Sequence, residues 1–190
     1  FSETTSASFS VDFALGAVDG LGMTTTNLDG GSEKVAATYG FQIDLTTSFT
    51  GDDSLDIAID AGNAGGAGTP LGEFDLNGAG LTANELTVDG VSYSFGVGDK
   101  TSVIVGAQGT DGSALFTTAC TYGGPSNTLD DCGTVQANFG SMNGSSLGAS
   151  YAFTDEFSMA VGYAGDGVTT TQGLLSKEGS DAWGINASYT

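Results

Sequence analysis

Four aspartates fall at even positions in stretches whose odd positions are apolar: Asp12, Asp44, Asp56 and Asp60. Carboxylates placed this way have three chemistries open to them. Two of them flanking a bond could run a glycosidase, but that needs a pocket that holds a sugar between them. These acids lie in alternating segments with no pocket signal. A group of them could chelate a divalent ion, yet no stretch has the ligand spacing of a calcium loop. The third chemistry is the simplest. A row of carboxylates on a wetted face favours cations and repels anions. Asp12, Asp44, Asp56 and Asp60 are therefore expected to form a pore-lining acidic wall, with no lysine or arginine opposite. Solvated acids near strand ends are the plainer alternative. Asp44 and Asp60 fall nearly opposite each other across a hairpin, where like charges repel unless water or a cation intervenes.

The remaining chemistry is sparse. The chain has no histidine, so neither a Ser–His nor a Cys–His pair is available. No catalytic residue, metal site or cofactor is expected. The 23 acids face only three lysines, Lys34, Lys100 and Lys177, and the formal net charge is -20. That balance disfavours nucleic acid as a partner, because phosphate neutralisation needs clustered basic residues. Cys120 and Cys132 are the only cysteines and lie in a segment rich in turn residues. Their spacing allows a short-loop disulfide, worth roughly 3 kcal/mol in the loop-entropy picture, in an oxidising compartment. Two free thiols are the alternative. No run of about 18 apolar residues is present, so no transmembrane helix is expected. No signal peptide is visible, and any targeting segment is expected to have been removed or left out.

The acids need elements to hold them, and those elements alternate throughout. From Ala7 to Ala17 the odd positions are Ala, Phe, Val, Phe, Leu and Ala. The same period of two runs through Val35–Phe49, Leu55–Gly62, Val91–Val97, Val103–Ala107, Tyr151–Phe153, Phe157–Tyr163 and Trp183–Tyr189. Side chains two apart share one face of a strand, so these are eight half-apolar strands. A phase slip near Asp89-Gly90 predicts a bulge. The connections alternate too. Thr50–Asp53, Gly98–Lys100 and Thr154–Glu156 are short. Residues 19–34, 63–83, 109–145 and 165–180 are long. An up-and-down meander gives this rhythm when the tight turns share one end.

The non-apolar face is made of Gly, Ala, Ser, Thr, Asn, Gln and a few Asp, not the lysines and glutamates of a soluble sandwich. Aromatics gather near strand ends at Phe49, Phe95, Phe153, Phe157 and Tyr189. Together these features predict an all-β, antiparallel up-and-down transmembrane β-barrel, apolar outside and polar within.

Several runs carry a family resemblance: LTTSFTGDDSLDIAIDAGNA at 45–64, VDGVSYSFGVGDKTSVIVGAQ at 88–108, TTACTYGGPSNTLDDC at 117–132 and SSLGASYAFTDEFSMAVGY at 145–163. The chain resembles the cyanobacterial outer-membrane porins, which belong with the OprB-like carbohydrate-selective porins. The resemblance implies passive diffusion of small hydrophilic solutes and ions, carbohydrate or inorganic, without catalysis. It implies the outer-membrane lipid bilayer as surroundings, extracellular long loops, periplasmic short turns and a homo-oligomer, a trimer. Family members carry a surface-layer-homology domain and a coiled coil before a barrel of about 16 or more strands. Neither leading part is here. Residues 1–190 are expected to be one domain, the first half of a larger barrel, since small lumen residues would leave an eight-stranded barrel poorly filled. The segment around Cys120 and Cys132 folds inward, caps the outer side, or is simply a loop stabilised by its disulfide. The competing expectation is a secreted or cell-surface structural protein, a β-rich filament subunit or adhesin, whose apolar face is buried against another chain.

Overall fold

The computed structural model of the chain describes residues 5–16, 35–63, 84–117, 139, 144–167 and 173–190. Eight strands lie among them: β1 Thr5–Gly16, β2 Ala36–Thr47, β3 Asp53–Gly62, β4 Thr87–Val97, β5 Thr101–Gly106, β6 Ser146–Ala152, β7 Phe157–Gly165 and β8 Asp181–Tyr189. They form one sheet in chain order, β1 to β8, with every neighbouring pair antiparallel. The ladder leaves β1 and β8 as edges. The alternating segments of the sequence are therefore the strands. The expected barrel extends further than this observation, which is one eight-stranded up-and-down sheet with no pairing of β1 to β8 among the described residues.

Each strand forms because its alternation matches the pleat, and the register keeps like with like. One apolar row runs Leu55, Tyr93, Val105, Leu147, Tyr163 and Trp183 across six strands. On the opposite face a row of small and polar residues runs Thr46, Asp56, Ser92, Gly106, Ser146, Ala164 and Ala182. The expected bulge is present. Gly90 faces Ala58 and Val88 faces Ile59, so Asp89 is the extra residue.

The apolar face stays largely uncovered. Phe13 is 76% exposed, Ile185 75% and Trp183 69%. Aromatic rings edge this face at both ends. Towards the tight turns, Phe49, Tyr93 and Phe95 stack in sequence, as do Tyr151, Phe153 and Phe157. Towards the long connections, Phe13 meets Tyr39 and Tyr163 meets Trp183, with centroids 6.2 and 4.6 Å apart.

The polar face of β5 to β8 is not empty. Facing residues Gly148, Gly162 and Gly184 form a row beside Ile104. The chain leaving β5 turns back over that row as a short 3-10 turn, Gly109–Ser113, and continues to Thr117. A Cβ on Gly162 would collide with the Gly112 carbonyl, and one on Gly184 would lie 2.8 Å from Phe116. Phe116 and Phe139 pack edge to face at 5.9 Å above these glycines. Phe139, Ser113, Ala160 and Ala164 are buried there. The small residues thus seat the chain's own segment on this part of the polar face. β5 and β6 are only 6 and 7 residues long, whereas β1 and β2 have 12 each.

The β2–β3 turn is organised by Asp53. Its Oδ1 accepts from Ser48 Oγ, the Phe49 and Thr50 amides and Thr50 Oγ1 at 2.7 to 3.0 Å. Its Oδ2 accepts from the Tyr93 hydroxyl at 2.6 Å. The turn itself needs Gly51, whose φ of 99° suits a residue without a side chain. Asp53→Ala should therefore lower the thermal midpoint of the sheet by several degrees and fray β2 from β3, measured by amide exchange at Phe49 and Thr50. Tyr93→Phe, which removes one of the five donors, should have the smaller effect.

Candidate functional site: an acidic cleft beside the covered glycine row

The polar face divides into two halves. The half on β5 to β8 lies under residues 108–117 and Phe139. The half on β2 to β4 carries carboxylates, and between them lies a cleft of about 360 Å³. Asp44, Asp56, Asp89 and Asp111 line it, with Ser92 and Gln108 as neutral polar neighbours. Strands β2 and β3 supply Asp44 and Asp56, the β4 bulge supplies Asp89, and the 3-10 turn supplies Gln108 and Asp111.

Hydroxyls and amides hold these acids in place. Asp44 accepts from Ser8 Oγ at 3.1 Å and from Gln42 Nε2 at 2.5 Å. Asp56 accepts from Thr46 Oγ1 at 2.8 Å and Ser54 Oγ at 2.7 Å. These donors orient the carboxylates without neutralising them. Asp111 Oδ2 accepts from the Gln108 amide at 3.1 Å, and it lies against Gly106 at a place where a Cβ would collide with it. Ser146 Oγ donates to the Gln108 carbonyl, and Asn186 clamps Thr117 through two hydrogen bonds, at 2.9 and 3.1 Å. The turn is thus fastened to β6 and β8 at both ends.

The expected acidic wall is only partly gathered here. Asp44 and Asp56 line the cleft. Asp60 lies four residues further along β3 on the same face, outside the cleft's lining but within electrostatic reach of Asp89 and Asp44. Asp12 faces Gly40 on β1, away from the cleft. The expected opposition of Asp44 and Asp60 is corrected by the register. Gln42 faces Asp60 and Ala58 faces Asp44, so the two acids are diagonal. Asp89 and Asp111 were not foreseen as members. The bulge signal marked Asp89 as irregular, but nothing local marked Asp111 as turning back onto the sheet. Cys120 and Cys132, with their expected disulfide, lie outside the described residues. Among the described residues no three carboxylates, cysteines or histidines converge closely enough to hold a metal ion directly.

Comparison of the chain with protein-family models, with curated proteins and with solved structures returned no match.

Burial pushes the Asp111 carboxyl above the ordinary carboxylate range, and the nearby Asp89 charge adds to this, against the opposing Gln108 amide hydrogen bond. The docked turn therefore holds its proton to higher pH than a released one. Docking is fully favoured below the ordinary carboxylate pKa and weakens as pH rises through the raised value. Amide exchange at Ala114 and Phe116, corrected for intrinsic rate, should show protection falling across that window. Asp111→Asn should flatten this dependence. Gly162→Val should abolish the protection at every pH while leaving the strand circular dichroism intact.

Proposed function

We propose that this sheet is part of the wall of an outer-membrane β-barrel porin, a passive channel for small hydrophilic solutes and ions with a preference for cations. The observation that carries the proposal is the exposed apolar face edged by aromatic rings at both ends. A sheet face of Phe, Val, Leu, Ile and Trp left open over eight strands is costly in water. Lipid removes that cost, and aromatic rims suit the two interfaces of a bilayer. Strands that run up and down with short connections at one end fit the same arrangement. In it, the tight turns lie in the periplasm and the long connections outside.

Closure of the barrel comes in this proposal from further strands that pair the β1 and β8 edges, as the resemblance to OprB-like porins suggests. The polar face then lines the passage. Residues 108–117 occupy the β5–β8 part of it, and the acid-bearing β2–β4 part stays open. Solutes pass along carboxylates with no base opposing them among the cleft's lining residues, which favours cations. A homo-oligomer, in the manner of a porin trimer, is part of the same proposal.

The two open edges favour a second reading, a secreted filament subunit or adhesin in which β1 and β8 add to neighbouring copies. Detergent separates the readings. The porin should partition with membranes, need detergent and migrate differently boiled and unboiled. In planar bilayers under a KCl gradient it should give a reversal potential on the cation side. Combined Asp44→Asn and Asp56→Asn should move that potential towards zero. A chain that stays in the aqueous fraction without detergent and assembles into filaments would overturn the porin reading.

A further inference from the structure

The sheet is not equally tall across its width. β5 and β6 have 6 and 7 residues, against 12 each for β1 and β2. At about 3.4 Å per residue and a tilt of about 45°, β5 and β6 rise roughly 14 to 17 Å, and β1 and β2 roughly 29 Å. The apolar band of a bilayer-spanning barrel is about 25 Å tall. The low stretch is bounded at both ends. Tight turns close it at residues 98–100 and 153–156. At the other end the chain leaves β5 at Gly106 and turns over the polar face as Gly109–Ser113, which adds no height to the wall. Lipid fits this stretch poorly. A span short of the hydrocarbon thickness by about 10 Å thins the bilayer or meets protein in place of lipid.

The outer surface of the low stretch suits contact with protein. Register sets Val103, Ala149 and Val161 in one row and Val105 beside Leu147 in the next. Val105, Leu147 and Val161 are exposed. These five side chains are short and aliphatic, so a second backbone can approach them closely. The bulkiest exposed groups lie elsewhere, with Phe9 and Phe13 on β1 and Trp183 on β8.

Charge at the tight-turn margin of this patch is complementary to itself. Of the three tight turns, the β4–β5 turn alone carries a base, Lys100, beside Asp99. The β6–β7 turn carries Asp155 and Glu156, and all four residues are exposed. Lys100 Nζ donates to the Phe153 carbonyl, which holds its charge at this margin. An axis along the membrane normal lays one half of the patch against the other half of a second copy. Lys100 of each copy then stands level with Asp155 and Glu156 of its neighbour.

We propose that the outer face of β5 to β7 is the surface on which copies of this chain meet within the membrane. This inference rests on the porin reading above and names the part of the sheet that makes its homo-oligomer. The second copy covers Val105, Leu147 and Val161 where the wall is too low for lipid, and its β6–β7 turn answers Lys100.

The test uses the full chain in membranes, with a photoreactive amino acid in place of Val105 or of Phe9. Illumination at Val105 should give a covalent product of twice the chain's mass, and illumination at Phe9 should give lipid adducts. In mild detergent, Lys100→Glu should shift the chain from oligomer towards monomer. Combining it with Glu156→Lys should restore the oligomer, which a loss of folding in the single variant could not produce. Adducts at Val105 confined to lipid or to the same chain overturn the proposal and leave the porin reading intact. So does a product of twice the mass at Phe9 and not at Val105. A chain that stays in the aqueous fraction without detergent overturns the porin reading and this inference with it.

Discussion

The structure depends on the two-residue period of the pleat. Successive side chains leave a strand on opposite faces, so a sequence that alternates large apolar with small polar residues sorts itself into two surfaces. Hydrogen bonding between strands then multiplies the effect, because any slip by one residue would exchange the faces. The β4 bulge shows how tightly this is held. Val88 and Val91 are three apart and would fall on opposite faces of a regular strand. The bulge at Asp89 absorbs one residue and returns Val88 opposite Ile59 while Val91 stays opposite Ile57. The same device sets Asp89 beside Asp44, where it joins the acidic cleft. A correction that serves apolar packing thus creates part of the polar site.

The two faces have opposite energetic problems. Burial of apolar side chains is concentrated under the returning segment, at Ile104, Phe139, Ala160 and Ala164, with Ala182 beside them. Those contacts are small in extent beside the uncovered face that carries Phe9, Phe13, Leu15, Trp183 and Ile185. The sheet therefore holds its ladder together by backbone pairing and cross-strand contacts, while its largest apolar surface awaits an apolar surrounding. The polar face has the reverse difficulty. It has few apolar groups, and its acids are oriented by Ser8, Gln42, Thr46 and Ser54 without being neutralised.

The strands and tight turns were legible because their signals are local. Alternation over six to twelve residues names a strand, and Thr50-Gly51-Asp52 or Gly98-Asp99-Lys100 names the break. The bulge was legible for the same reason, as a phase slip. The cleft was half legible. Asp44 and Asp56 fall on the polar face by counting alone, and so does Asp12, yet counting along a strand cannot say which acids adjoin. Pairing register decided that, and it set Gln42 rather than Asp44 against Asp60. Asp111 was illegible as a member, because its place depends on residues 107–117 turning back over β6 and β7. Gly148, Gly162 and Gly184 show that something comes close or that nothing does, and only the fold tells which.

The seating of that segment also makes the acidic half asymmetric in a way that composition hides. A net charge of -20 spread over a surface acts mainly through screened, long-range attraction, which fades within about 8 Å at physiological salt. Carboxylates gathered between the sheet and the turn are different. They are partly buried, so their fields are screened less, and the covered glycine half offers them no counter-charge among the described residues. Salt should then separate two kinds of cation attraction in this chain. The diffuse kind, from exposed acids such as Asp52, Asp99, Asp155 and Glu156 at the tight turns, weakens as ionic strength rises. The local kind, at the half-buried Asp44, Asp56 and Asp111, is screened less and persists to higher salt. Whatever solvent the apolar face meets, the acids of the cleft gather at the edge of the covered half, where the turn brings Asp111 to acids that the strands had already aligned.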